Sequence, residues 1–155
     1  MKKTNVIRIL ESNDITHQIY IYDFDESDLS GLKVAERVGA DPACVFKTLV
    51  ARGDKTGINV FCIPVNRILD LKKAASASGN KRAEMIKEKE LFPLTGYVKG
   101  GCSPIGMKKK YPVFICNSAL QSDKILVSAG IRGMQVSLSV QDLLKITGAL
   151  PVCLY

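Results

Sequence analysis

Residues 41–50 read D-P-A-C-V-F-K-T-L-V, and the rest of the chain can be read outward from them. Asp41 has a side chain suited to capping a helix, and Pro42 suits the first helical position, where no backbone N–H is needed. After one turn the sequence becomes an apolar strand over 46–51. Side chains alternate along a strand, so Phe46, Thr48 and Val50 share one face while Lys47, Leu49 and Ala51 share the other. Both faces are mostly apolar, which predicts a strand covered on both sides. Lys47 breaks that pattern. An ammonium is costly to bury unless it reaches a cavity or a partner, or snorkels to water from an edge strand.

The next residues, R-G-D-K-T-G at 52–57, read as a hairpin turn. They lead into a second buried strand, I-N-V-F-C-I-P-V at 58–65, expected to pair with the first. Upstream, 3–12 has helical spacing with Val6, Ile7 and Leu10 on one side. Residues 15–22 form a β-branched and aromatic strand, and 23–30 form an acidic loop. Ser30 caps a helix over 31–38 that ends at Gly39. Downstream, Asp70 caps a helix that ends at Gly79, 81–85 is extended or a turn, and a short helix over 86–91 is stopped by Pro93. Strands are expected at 112–116, 124–128 and 134–138, followed by a helix from the Ser139 cap to Thr147. Strands adjacent in some places and separated by helices in others predict an α+β fold with a mixed sheet, in one domain over 1–155.

Composition narrows the chemistry. Apolar residues at 46% and charged residues at 24% suit a globular chain. No stretch reaches the length of a membrane span, and Arg8 and Glu11 interrupt the N-terminal apolar run, so a cytoplasmic location is expected. The net charge of +7, from 22 basic and 15 acidic residues, favours a polyanionic partner such as a nucleic acid. The five cysteines lack ligand-pair or disulfide-framework spacing. The single histidine, His17, has no partners nearby for a triad or a metal site. No metal or organic cofactor is expected, and the chemistry must rest on lysine, backbone, hydroxyls or the substrate itself.

Two segments could carry that chemistry. Residues 95–110, T-G-Y-V-K-G-G-C-S-P-I-G-M-K-K-K, make a long loop, and loops of this length are usually functional. Gly100 and Gly101 let backbone approach a ligand and aim N–H groups at it. Cys102 and Ser103 are nucleophile types without a base beside them. Lys108, Lys109 and Lys110 suit either solvent or phosphates. The second segment, V-S-A-G-I-R-G-M at 127–134, is either a pocket wall carrying Ser128 or a plain turn.

Together these pieces resemble the YbaK/EbsC family, free-standing relatives of the editing domain of bacterial prolyl-tRNA synthetase. The matching blocks are V-F-K-T-L-V at 45–50, D-L-K-K-A-A at 70–75, T-G-Y-V-K-G-G-C-S-P-I-G at 95–106 and V-S-A-G-I-R-G at 127–133. The resemblance implies a curved, partly barrel-like sheet flanked by helices. It implies a deacylase for mischarged aminoacyl-tRNA, with Cys-tRNA(Pro) the foremost substrate and prolyl-tRNA synthetase a possible partner. Lys47 falls on the family's essential lysine, and Gly101 on the amide that contacts the substrate carbonyl. Tyr22, Thr48, Gly100, Ser103, Ser128 and Gln135 fall on or beside the substrate pocket, with Lys99, Lys108, Lys109 and Lys110 guiding tRNA. The attacking group would be the substrate's own thiol, which agrees with the shortage of enzyme bases. Gln135 stands where these relatives carry aspartate. That departure keeps two alternatives open: a deacylase for Ala-tRNA(Pro) or another mischarged tRNA, and a tRNA- or synthetase-binding module without turnover.

Overall fold

The computed structural model describes residues 3–155. The hairpin read from the sequence is its centre. Strand β2 (Phe46–Gly53) pairs antiparallel with β3 (Gly57–Pro64) in a register that sets Lys47 opposite Ile63 and Thr48 opposite Cys62. The preceding Pro42–Cys44 forms a single 3-10 turn, in which the Asp41 carboxylate accepts from the Ala43 N–H at 2.9 Å. Strand β4 (Ala83–Met85) pairs with β2 only at 51–53. The half of β2 that holds Lys47 is therefore open on that side.

Beyond β3 the sheet continues in parallel through β5 (Val113–Cys116) and β8 (Leu150–Val152), in the order β4-β2-β3-β5-β8. The edge strand β8 carries Pro151, which an edge tolerates because it need not donate on both sides. A second, antiparallel sheet has the order β1-β7-β6, built from β1 (His17–Ile21), β6 (Lys124–Ser128) and β7 (Met134–Ser139). The two sheets meet at a single bridge between Val45 and Leu126. The mixed α+β architecture agrees with the sequence. The partly barrel-like expectation is corrected in one respect: the sheets do not close, and β1, β4 and β8 keep free edges.

Among the described residues, five helices cover the sheets. In α1 (Asn5–Ser12), Val6, Ile7 and Leu10 are fully buried, as their spacing predicts. The Thr4 hydroxyl caps this helix by accepting from the Ile7 N–H and donates to the Ala129 carbonyl, which ties α1 to the loop after β6. Helix α2 (Gly31–Val38) starts at Ser30 and α3 (Leu71–Ala77) at Asp70. Helix α4 (Glu88–Thr95) runs through Pro93 to Gly96 instead of stopping before it. Pro93 and Lys89 are both exposed, so the carbonyl that loses its partner can be hydrated. Helix α5 (Val140–Thr147) follows the Ser139 cap. The main core lies around Phe61 and Phe114, whose rings stack at 5.5 Å.

Candidate active site

The gap beside β2 is a cavity of about 780 Å³. Its walls come from five separate regions: the loop into α2 (Leu29 to Val34), β2 itself, the turn after β3 (Val65 to Ile68), the entry to α4 (Met85 to Glu88), and the Lys99-to-Cys102 loop facing Ser128 and Gln135. Of the residues expected to form a site, Lys47, Thr48, Lys99, Gly100, Ser128 and Gln135 share this cavity.

Lys47 sits half-buried in the wall. Burial alone lowers its pKa from the ordinary 10.5. Among the described residues it forms no salt bridge or hydrogen bond, so its ammonium is available to an incoming group. The Thr48 hydroxyl rests 3.9 Å from the buried Cys62 thiol. Ser128 lies opposite Gln135 in the β6–β7 register, and its hydroxyl accepts from the Gly130 N–H at 3.1 Å. Gln135 is only 5% exposed, and its Oε1 has no hydrogen-bond partner.

The glycine loop differs in detail from its sequence reading. The Gly101 N–H donates to the Val98 carbonyl at 2.9 Å, closing a turn, and Gly101 is buried behind the cavity wall. A Cβ at Gly101 would stand 3.1 Å from the backbone of Ile131 and Arg132. A side chain there would crowd the neighbouring loop, and the Gly101 N–H is already used within its own turn. The flanking residues Gly100 and Cys102 line the cavity, and among the described residues neither of their N–H groups has a partner. Gly100 has φ +86°, a left-handed conformation that glycine adopts without strain.

The remaining expected residues lie elsewhere. Tyr22 lines a smaller depression with Phe24, Asp25 and Arg132, divided from the main cavity by Leu29 and Gly100. Ser103 is fully buried, and its hydroxyl accepts from the Ile105 N–H in a turn. Lys108, Lys109 and Lys110 are exposed and none lines the cavity. Sequence reading missed Arg132, whose Nε donates to the Lys99 carbonyl at 2.7 Å and fixes the Gly100 loop against the β6–β7 turn. It also missed Arg67 and Lys87 at the cavity mouth. An arginine in a turn and a lysine before a helix carry no pattern that would single them out.

Cys102 is the cavity's one thiol. Burial pushes it up to about 12, although a hydrogen bond with Thr95 works the other way. It is a neutral thiol near pH 7 and a poor nucleophile. Cys102→Ala deletes the thiol and keeps the backbone N–H. We expect deacylation to stay within about threefold of wild type in this variant, since an inert thiol supplies no covalent catalysis. A loss of 100-fold in single-turnover assays would restore a nucleophilic role.

Comparison with known proteins identifies the family. Residues 30–146 match the family model described as "Aminoacyl-tRNA editing domain", a span that includes every wall of the cavity except Leu29. A protein of Enterococcus faecalis named "Putative Cys-tRNA(Pro)/Cys-tRNA(Cys) deacylase EbsC" is 47% identical over 146 residues, covering 94% of this chain and 89% of that protein. Two solved structures share the fold. One is "Crystal structure of a putative trans-editing enzyme for prolyl tRNA synthetase" (TM-score 0.81, 24% identity, 99% of this chain and 98% of that one). The other is of the hypothetical protein APE2540 (TM-score 0.87, 19% identity, 97% and 99%). With a family model that matches residues 30–146, well over half of its length, the chain belongs to the aminoacyl-tRNA editing domain family.

Proposed function

We propose that this protein, acting as one catalytic unit, hydrolyses mischarged aminoacyl-tRNA and removes cysteine from tRNA for proline. The observation that carries the reading is an unpaired, half-buried Lys47 in a cavity that also presents two unpartnered backbone amides. Such a site orients an ester and holds the charge that develops on its carbonyl oxygen. It offers no general base of its own. His17 is not a lining residue, and Glu88, the one lining carboxylate, stands at the mouth 3.3 Å from Lys99.

A nucleophile carried by the substrate completes the chemistry. The cysteinyl thiol attacks its own ester carbonyl, the C–S bond forms, and the bond to the ribose oxygen breaks. The thiol proton passes to the departing ribose hydroxyl. The products are a cyclic thiolactone, which water opens to free cysteine, and uncharged tRNA. Lys47 and the amides of Gly100 and Cys102 hold the oxyanion. The family and the similarity to the E. faecalis protein support this substrate. The basic balance of the chain suits a tRNA ligand, with prolyl-tRNA synthetase a candidate partner in a cytoplasmic setting.

The test is a deacylation panel of Cys-, Ala- and Ser-tRNA on matched and mismatched tRNAs. The expected result is fastest loss of cysteine from tRNA for proline, with the thiolactone seen by mass spectrometry. Tight binding across the panel without ester loss, under excess protein, would make this a binding module instead.

A further inference from the structure

The cavity is much larger than a three-carbon aminoacyl group needs, being in the range of sites that enclose a drug-sized ligand. Its mouth also has a composition that the ester chemistry does not explain. Ile68 is 86% exposed, Leu32 53% and Met85 43%, yet all three line the same cavity. They come from three different segments: the turn after β3, the first turn of α2 and the end of β4. Cations stand among them. The ionisable lining residues are Lys47, Arg67, Lys87, Glu88 and Lys99, so four positive groups face one carboxylate, which is paired with Lys99. Arg67 is held with its guanidinium 4.4 Å from the centre of the Tyr155 ring. The N–H of Lys87 donates to the Glu90 carboxylate, which also accepts from Arg52 and so fixes the start of α4.

We infer that this outer half of the cavity is a nucleoside subsite. Leu32, Ile68 and Met85 form an apolar shelf for the terminal adenine of the acceptor strand, and Arg67 and Lys87 take the adjoining phosphates. The assignment rests on the proposed deacylase reading and says how its substrate is held. An apolar shelf edged by cations suits a flat base joined to phosphate, because covering exposed aliphatic side chains with the base face removes apolar surface from water while the charges follow the backbone. It also places tRNA contacts at the cavity mouth instead of at Lys108, Lys109 and Lys110, which lie away from it.

Two measurements test the subsite separately from the reaction. In the first, Ile68→Ser and the triple variant with Leu32→Ser and Met85→Ser are assayed with Cys-tRNA(Pro) and with cysteine methyl ester, which has no nucleoside. The triple variant should raise KM for the tRNA about tenfold, the loss of the apolar area that one base would cover. In each variant the loss with the tRNA should exceed any loss with the methyl ester at least about threefold. Arg67→Ala should lower the slope of log affinity against log salt by about 0.7. In the second, methyl resonances of the wild-type protein are followed during titration with AMP and with ribose 5-phosphate. Shifts at Leu32, Ile68 and Met85 with AMP alone are expected, and they can be seen even if the protein deacylates nothing. That result with an inactive enzyme would keep the subsite and remove the deacylase reading. Normal deacylation with unchanged KM in Ile68→Ser and the triple variant, and no AMP shifts, would remove the subsite and keep the deacylase. Shifts that follow protein concentration without nucleotide would mean the shelf binds a second copy of the chain, and would also overturn the assignment.

Discussion

Lys47→Met is expected to slow deacylation of Cys-tRNA(Pro) by about 10²–10³-fold, the usual loss when one oxyanion-stabilising group is removed. The fold should be at least as stable as wild type. Methionine keeps the unbranched stem against the cavity wall and removes a charge that burial disfavours. The pH dependence gives a second handle. The Lys47 pKa is lower in the folded protein than in the unfolded chain, so between the two values the unfolded chain binds more protons. Lys47 therefore makes wild-type stability rise with pH across that window, from the depressed value up to the ordinary 10.5. Lys47→Met should lack that rise in denaturation curves collected from neutral pH upward. Activity should move in the opposite sense, falling as pH passes the depressed value and the ammonium is lost. Lys47→Arg, which keeps its charge at any accessible pH, should be slower than wild type but should not show that alkaline fall. Full deacylation by Lys47→Met would end the assignment of this residue to the reaction.

Lys47 stood out in the sequence because a charge inside a strand that is apolar on both faces violates a local rule. Its consequence was not legible. Whether that lysine faces a cavity depends on β4 covering β2 only at 51–53, a matter of register between segments 30 residues apart in sequence. The hairpin, the helix caps at Ser30, Asp70 and Ser139 and the buried face of α1 follow from short-range signals and are present as expected. Gly101 shows where such signals stop. Its glycine pair suggested a free donor, but the N–H closes a turn on Val98, and the missing side chain makes room for Ile131 and Arg132. Backbone donors cannot be assigned from residue type, since every non-proline residue has one. The mouth residues Arg67 and Ile68 belong to a turn with no periodicity, so only the fold brings them to Leu32 and Met85.

Gln135→Met should stabilise the protein and impair it as an enzyme at once. The Gln135 carbonyl is buried on β7 without a hydrogen-bond partner, and an unmet acceptor of this kind costs about 1–3 kcal/mol. Methionine has nearly the same shape and no such demand. The expected gain is about 1 kcal/mol, or about 2–4 °C in Tm for a chain of this size. The cost to function follows from what the carbonyl lacks. Gln135 lines the cavity, and the torsion about its last side-chain bond is a broad one, so the amide can turn without leaving a rotamer well. The strongest donor on an aminoacyl ester is its α-ammonium, since the ester oxygens only accept. Among the described residues Glu88 is the one lining carboxylate, and it is paired with Lys99, so we propose the neutral Gln135 carbonyl as the acceptor for that ammonium. A hydrogen bond to a charged group contributes about 1.5–3 kcal/mol, so Gln135→Met should lose about 10- to 100-fold in kcat/KM. A simple packing defect would slow all substrates alike. Loss of an ammonium contact predicts something narrower: wild type should prefer cysteinyl-tRNA to its N-acetylated form, and Gln135→Met should treat the two nearly equally. A variant that gained stability yet kept the preference would show that Gln135 leaves its acceptor unmet for some purpose other than reading the amino group.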